Sequence, residues 1–342
     1  MLAGDLPGAE RSLAQAARED PSTVDAYLAL ASLLRTRGDI GRAIQIHQNL
    51  LLRPDLTEEP RQEALLGLAL DFRVGGFLQR AAATFEDLLE IDPGNLEALQ
   101  ELERIRVDSG DWEAAIQIRK RIGRGDPRTP NVLAHLWSGL GRAKLQAGRE
   151  NEGRRAFRRA LSQDRGCAEA YLALGDFALQ HGKASRALGL WRRTLGLHPA
   201  IGLLAYPRLW EGSVATGDLG RLEQLLAERI EESPDDTEAA IWLARVRVRQ
   251  ERVDEGLAVL SQQVARDPTF LGGHAEMGRI LLRERRDAEA LKTFEELLDR
   301  LPLDRSQLRC RHCGTQDTHL HWRCPQCGEW DSFVQGSGSP WI

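Results

Sequence analysis

The sequence predicts an all-α fold, a superhelical solenoid of paired helices that ends in a small cysteine-rich module. Three observations lead to this prediction. A helix-turn-helix unit recurs along most of the chain, and two C-x-x-C-G segments stand close together near its C-terminal end. Of the 342 residues, 42% are hydrophobic but only 6% are aromatic, a composition that favours helical repeats over a sheet protein.

The clearest copy of the unit spans residues 168–199. Its first helix carries an apolar stripe at positions i, i+3, i+4 and i+7, formed by Tyr171, Leu174, Gly175 and Ala178. A second stripe runs through Ala187 and Trp191, and Pro199 ends the pair. Two such helices leave apolar flanks that they cannot bury alone, so the unit is stable only when it stacks on copies of itself.

The unit repeats with a nearly constant period. Closing positions, most of them proline, lie 33 to 39 residues apart and most often 34: they are residues 21, 54, 93, 127, 165, 199, 234, 268 and 302. A small residue usually precedes each by twelve positions, where it lets two helices approach closely. The pattern resembles the tetratricopeptide repeat. We predict eight to nine units over residues 1–305, the first of which lacks its first helix.

Two intervals exceed the common period by four or five residues. We expect the additional residues to form loops near residues 55–61 and 128–131. Loops on repeat arrays often lie beside the binding face, so both are candidate contact sites.

Polar residues of the first helices are expected to line an inner groove that suits an extended or helical peptide. A solvated helix face is the competing interpretation for any single position. The predicted partner-binding residues are Asp25, Arg35, Glu97, Arg104, His135, Arg142, Glu169, Asp176, Glu238 and Arg245.

Catalysis finds little support in the sequence. The chain contains no G-x-S-x-G elbow, no phosphate-binding glycine-rich loop and no H-E-x-x-H motif, so we predict that it is not an enzyme. Its net charge of -5 argues against a nucleic-acid partner. No run of about 18 apolar residues occurs, so we expect a soluble chain without a transmembrane helix.

The C-terminal cysteines form two C-x-x-C-G knuckles separated by ten residues, with ligands Cys310, Cys313, Cys324 and Cys327. Each tight turn directs two sulfurs to one point, and two turns complete a tetrahedral four-thiolate site. We predict that residues 306–335 bind one metal ion. Zinc is the first choice because it fills such a site without redox chemistry, iron is the alternative, and two disulfides would require an oxidising compartment.

The module is expected to sit against the end of the solenoid. Only the seven residues Leu303 to Arg309 separate Pro302 from the first ligand, and they reach at most about 25 Å. Trp322, Trp330 and Phe333 are too large for so small a module to bury them all, so we predict that some of them dock on the last repeats. Residues 336–342 are predicted to form a flexible tail.

The amino-acid sequences of two segments resemble those of the lipopolysaccharide assembly protein B family. These are residues 26–61, above all Arg42-Ala-Ile-Gln-Ile-His-Gln-Asn-Leu50 followed by Pro54-Asp-Leu-Thr-Glu-Glu59, and the cysteine module, which looks like the family's rubredoxin-type domain with Trp322 ahead of Cys324. The resemblance covers nearly the whole chain. It implies an adaptor on the cytoplasmic face of the bacterial inner membrane, anchored by an N-terminal transmembrane helix that this sequence lacks at its start.

The same resemblance implies a function. Such an adaptor works with the membrane protease FtsH to promote turnover of the deacetylase that commits material to lipid A, and so controls lipopolysaccharide synthesis. Other lipopolysaccharide assembly proteins are further candidate partners, and self-association is left open. The alternatives are a redox carrier with iron in a rubredoxin-like site, a generic peptide-binding scaffold with a structural zinc, and a zinc-ribbon nucleic-acid binder, which the acidic charge disfavours.

Overall fold

A computed structural model describes residues 6–19, 23–123, 125–197, 201–300, 308–317, 324–328 and 332–335. The chain divides into two compact units, Met1–Ile201 and Gly202–Ile342. Its described part consists of seventeen helices and three short strands, which confirms the predicted all-α repeat fold with a small C-terminal module.

In the described residues of the first unit, one helix precedes five helix pairs. Its elements are α1 (Leu6–Glu19), α2 (Val24–Thr36), α3 (Ile40–Leu51), α4 (Glu58–Val74), α5 (Leu78–Ile91), α6 (Leu96–Asp108), α7 (Trp112–Ile122), α8 (Thr129–Gln146), α9 (Glu150–Gln163), α10 (Ala168–Gln180) and α11 (Ala184–Arg192).

The described residues of the second unit form three helix pairs and a three-stranded sheet. Its elements are α12 (Gly202–Thr216), α13 (Leu219–Glu232), α14 (Thr237–Arg249), α15 (Val253–Arg266), α16 (Leu271–Arg283), α17 (Asp287–Arg300), β1 (Leu308–Cys310), β2 (Gln316–Asp317) and β3 (Phe333–Gln335).

A glycine-aspartate dipeptide makes the turn inside several pairs. Between α2 and α3, Gly38 adopts a φ of +85°, a left-handed conformation that glycine adopts without steric cost. Asp39 then caps α3, because its carboxylate accepts a hydrogen bond from the backbone N–H of Arg42 at 3.4 Å. The same device recurs before α7 at Gly110-Asp111 and before α13 at Gly217-Asp218. Local sequence therefore sets where these helices stop and start.

The additional residues of the two long repeat intervals extend helices. The loops predicted at residues 55–61 and 128–131 are therefore wrong for most of their residues. First helices of the regular repeats, such as α2, α6 and α10, have 13 residues, whereas α4 has 17 and α8 has 18. The difference is about one helical turn. Pro60 and Pro130 fall in the first turns of α4 and α8, where an N–H has no intrahelical partner and proline is tolerated.

The small residues predicted at the helix crossings are buried. Five of them, each at most 1% exposed, are Ala43, Ala81, Ala115, Ala187 and Ala290. At Gly153 the two backbones approach so closely that an added Cβ would lie 2.9 Å from the Gly141 carbonyl oxygen. Close backbone approach thus explains the small residues that mark the repeat.

The core is a series of clusters between neighbouring helices. One cluster joins α4, α5 and α6 through side chains such as Phe72, Phe85 and Leu102. Another joins α14 to α17 through residues such as Leu260 and Ile280. Each fully buried side chain of this size contributes about 1.5–3 kcal/mol. Stability therefore accumulates along the array, as expected of a repeat protein.

Replacing Gly175 with alanine is expected to destabilise the first unit by about 1–3 kcal/mol. An added Cβ would lie 2.2 Å from Nε1 of Trp191. That indole is 1% exposed and donates to the Leu172 carbonyl at 3.2 Å, so it cannot move without losing packing and a hydrogen bond. The free energy of unfolding from urea titrations, followed by circular dichroism, measures the effect.

Gly189 in α11 provides the matched control. Nothing lies within 4 Å of a Cβ added there, so Gly189→Ala is expected to stabilise the helix by about 0.5–1 kcal/mol. Equal effects of the two substitutions would contradict the packing described for Gly175.

Candidate functional site

The cysteine module is built on the three-stranded sheet, whose strand order is β2-β1-β3 with antiparallel pairing. Cys310 ends β1 opposite Phe333 of β3. Both knuckles close in the same way, because the Gly314 N–H donates to the Cys310 carbonyl at 3.0 Å and the Gly328 N–H donates to the Cys324 carbonyl at 2.9 Å. The two glycines have φ values of +78° and +77°, which explains why glycine follows each second cysteine.

The four sulfur atoms converge on one point and all lie within 4.8 Å of one another. Between the knuckles, Cys310 Sγ lies 3.7 Å from Cys327 Sγ, and Cys313 Sγ lies 3.6 Å from Cys324 Sγ. A tetrahedral ion with metal–sulfur bonds of about 2.3 Å separates its sulfurs by about 3.8 Å. The donor set therefore fits one metal ion.

Hydrogen bonds prepare the thiols to act as ligands. Ser332 Oγ lies 3.3 Å from Cys310 Sγ, and this contact, with backbone N–H groups of the knuckle, lowers the pKa of the Cys310 thiol to about 6. A contact with the Thr315 hydroxyl at 3.1 Å lowers the pKa of the Cys313 thiol in the same way. Both shifts favour the thiolate, which is the form that binds metal.

One side of the centre is shielded from solvent. Cys310 and Cys324 are 1% and 2% exposed and pack with Phe333 and Leu308, whereas Cys313 and Cys327 are exposed. Phe333 thus lies in the core of the module. Trp322 and Trp330 lie outside the described residues, so the docking of these aromatic residues on the last repeats stays a prediction.

Ion pairs between consecutive first helices involve several predicted groove residues. Arg35 of α2 donates to Asp71 of α4 at 2.9 Å, and Arg142 of α8 lies 2.6 Å from Glu169 of α10. His135 is 3.6 Å from the second oxygen of Glu169. The structure therefore brings His135, Arg142 and Glu169 together on the face of the first helices.

The second unit has the same arrangement. Arg245 of α14 donates two hydrogen bonds, of 2.7 and 2.8 Å, to the carboxylate of Glu276 on α16. Burial opposes ionisation of Glu276, but Arg245 and the nearby Arg279 outweigh it, and the pKa of Glu276 is lowered. The pKa of Arg245 is raised by the same hydrogen bonds.

The remaining predicted groove residues are not joined into one cluster. Asp25, Glu97 and Arg104 are exposed, and Glu238 is half-buried. Asp176 accepts a hydrogen bond of 3.1 Å from the Trp191 indole, so it helps to hold the core. Their role in partner binding stays a prediction.

A cleft on the first helices of the second unit was not foreseen. Its volume is about 580 Å³, and two half-buried tryptophans, Trp210 and Trp242, stand in it with ring centroids 6.0 Å apart. Arg245 lies over the Trp242 ring at 4.5 Å. Its other arginines are Arg249, Arg279 and Arg283. The sequence contains a signal for these arginines, which is their spacing by one repeat period. Arg245 and Arg279 are 34 residues apart, and so are Arg249 and Arg283.

A buried charge cluster in the first unit was also missed. His47 Nδ1 lies 2.6 Å from Asp71 Oδ2, and the two residues are 1% and 0% exposed. The other Asp71 oxygen accepts from Arg35. The signal was an aspartate between apolar neighbours in Leu70-Asp71-Phe72, a position where burial demands partners.

Three family models match the chain. Two are described as tetratricopeptide repeat, of which one matches residues 76–136 and the other residues 3–59 and 138–200. A third, described as a rubredoxin metal binding domain, matches residues 309–335 and so includes all four cysteines.

Lipopolysaccharide assembly protein B of Escherichia coli K12 is 24% identical over 319 residues, which cover 92% of this chain and 82% of the relative. The Haemophilus influenzae protein of the same name is 28% identical over 323 residues, with coverage of 92% and 80%. The chain is a homologue of lipopolysaccharide assembly protein B. This confirms the resemblance drawn from residues 26–61 and the cysteine module.

Homology to lipopolysaccharide assembly protein B spans both the repeats and the metal module. A solved structure of a tetratricopeptide repeat protein from Parabacteroides merdae aligns with 75% of this chain and 98% of its own, at 13% identity and a TM-score of 0.38.

Within the described residues, no helix combines the length and the apolar character needed to cross a bilayer.

Proposed function

We propose that this protein is a non-enzymatic adaptor that regulates lipopolysaccharide synthesis by bringing the membrane protease FtsH to the deacetylase of the lipid A pathway. The observation that carries the proposal is homology to lipopolysaccharide assembly protein B over 92% of the chain. The fold supports it, because a repeat array offers long helix faces for protein partners. The site of action is the cytoplasmic face of the inner membrane.

The first-helix face of the second unit is the strongest candidate for partner binding. Trp210 and Trp242 are half-buried and line the cleft, and aromatic and arginine residues dominate the energetics of protein interfaces. Arg249 and Arg283 have no carboxylate partner among the described residues that line this cleft. The cleft therefore suits a peptide segment with an apolar anchor and acidic neighbours.

The cysteine module is proposed to hold zinc as a structural ion. Its closed set of four sulfurs leaves no position for a substrate. Zinc would fix Cys310, Cys313, Cys324 and Cys327 in place and so fold the module. Iron in the same sulfurs is the basis of the redox-carrier alternative, and the absorbance spectrum separates the two, because a zinc protein is colourless and ferric tetrathiolate is coloured.

Crosslinking in a Gram-negative host tests the adaptor function. The affinity-tagged chain is expected to capture both FtsH and the deacetylase, and the deacetylase is expected to persist longer when the chain is depleted. Absence of both proteins from the crosslinked material would overturn the proposal.

Replacing Trp242 with alanine is expected to reduce capture of a partner at least about tenfold, because truncation of a tryptophan at the centre of an interface typically costs 2 kcal/mol or more. The yield of each crosslinked partner, measured by quantitative mass spectrometry, reports the loss. Leu203→Ala is the control, because Leu203 is 59% exposed on α12 but lies outside the cleft. Unchanged capture by the Trp242 variant would remove this cleft from the partner site.

A further inference from the structure

A second cleft, in the first unit, has the chemistry of an anion site. It has a volume of about 320 Å³ and lies where α9, α10 and α11 meet. Its charged lining consists of Arg154, Arg158, Lys183 and Arg186 against a single carboxylate, Glu150. This excess of positive charge stands out in a chain whose net charge is -5. We propose that the cleft binds a phosphate-bearing ligand.

In the described part of the chain, the cationic groups of this cleft have no carboxylate partners. Among the described residues, no carboxylate lies within ion-pair distance of Arg158, Lys183 or Arg186. Arg154 donates from Nη2 to the Asn151 side chain at 3.1 Å, but its Nε is buried and has no acceptor in the described part of the chain. A buried donor without an acceptor is destabilising, and an anion in the cleft would offset this cost.

The local placement of these charges is unfavourable without a ligand. Arg154 and Arg158 are four residues apart on α9, and like charges at this spacing repel on one helix face. Lys183 occupies the N-cap of α11, and the first turn of that helix has no acidic residue. The helix dipole of α11 has its positive end here and attracts an anion. Lys183 and Arg186 add their positive charges to the same attraction.

The cleft also has an apolar floor. Leu174, Phe177 and Leu190 line it. The Arg154 guanidinium lies 5.3 Å from the centroid of the Phe177 ring, and the centroid of the His181 ring lies 4.1 Å from it. Arginine forks bind phosphate oxygens in pairs. The ligand that fits is thus a phosphate ester or diphosphate attached to an apolar or ring-shaped group. A lipid headgroup and a soluble phosphate ester share this chemistry.

Titration calorimetry of the full chain with pyrophosphate tests the site. We expect saturable binding with one site per chain. The double variant Arg158→Gln/Arg186→Gln is expected to weaken it at least about tenfold, because it removes two charge-assisted contacts. Both residues are exposed on the helix surface, and circular dichroism verifies that the variant remains folded.

The control carries the same change of net charge elsewhere. Arg128→Gln/Arg221→Gln alters two arginines that are 75% and 81% exposed and lie outside the cleft, and it is expected to bind pyrophosphate within about twofold of the unaltered chain. Equal weakening by the two double variants would overturn the proposal, because it would show only non-specific attraction.

Vesicle sedimentation distinguishes the two sources of phosphate. Binding to phosphatidic acid vesicles over phosphatidylcholine vesicles, lost in Arg158→Gln/Arg186→Gln and competed by pyrophosphate, assigns the site to a lipid headgroup. Pyrophosphate binding without vesicle binding assigns it to a soluble ester. Absence of saturable binding to both probes overturns the proposal, as does binding of an acidic peptide by a chain that does not bind pyrophosphate.

Discussion

Cys324→Ser is expected to abolish stoichiometric metal binding and to unfold the C-terminal module. Cys324 is 2% exposed, and its sulfur lies 3.6 Å from that of Cys313, so a shorter and harder oxygen ligand cannot replace it in the centre. Structural zinc in small modules contributes an apparent binding free energy of about 10–16 kcal/mol, more than three short strands supply. Elemental analysis of the purified chain should show a fall from one metal ion to background.

Two further measurements complete this test. Far-ultraviolet circular dichroism should remain close to that of the unaltered chain, because the repeats carry nearly all the helix, while limited proteolysis should now cleave the module. Cys167→Ser is the control, because Cys167 is buried beside Ser138 at 3.4 Å in the first unit and is not one of the four converging cysteines. Full metal content in Cys324→Ser would show that the four sulfurs do not form the centre.

Asp71→Ala is expected to destabilise the first unit by about 3–5 kcal/mol, the cost of removing one partner from a buried charge cluster. The substitution leaves His47, which is 1% exposed, without the acceptor that lies 2.6 Å from its Nδ1. It also leaves the Arg35 guanidinium with fewer acceptors, although Arg35 still donates to the Gly67 carbonyl at 3.2 Å. Urea unfolding followed by circular dichroism and tryptophan fluorescence measures the loss.

A surface carboxylate of the same unit calibrates this result. Glu152 lies 3.8 Å from Arg149, and both side chains are about half exposed, so Glu152→Ala is expected to cost no more than about 1 kcal/mol. If Asp71→Ala were as mild as Glu152→Ala, the cluster of Arg35, His47 and Asp71 would not be a buried charge network in solution.

Much of the repeat could be predicted because its signals are local. Gly38 and Asp39 stop one helix and start the next within two residues, and the closing prolines stand at a period that needs no knowledge of the fold. The prediction for the two long intervals was wrong because it assigned their additional residues to loops. These residues lengthen α4 and α8 instead, and Pro60 and Pro130 are tolerated there because a proline in the first turn of a helix removes no hydrogen bond.

The charged face was harder to predict. Arg35 pairs with Asp71, which is 36 residues away in the sequence, and Arg245 pairs with Glu276, which is 31 residues away. Such pairs depend on how one helix pair stacks on the next, and several long side chains could compete for each carboxylate. The groove prediction therefore named residues of the first helices but did not name the Trp210 and Trp242 cleft or the buried charge cluster.

From the order of its residues alone, this protein can be assigned a stack of paired helices and a four-sulfur centre, because both follow from spacings of a few residues in which steric limits leave few conformations. The packing of neighbouring repeats decides which charged side chains are neutralised by a partner and which line an open cleft. Arg154 and Arg158 on α9 belong to the second group. The reason is that electrostatic partners and solvent exposure are properties of surfaces brought together from distant parts of the chain.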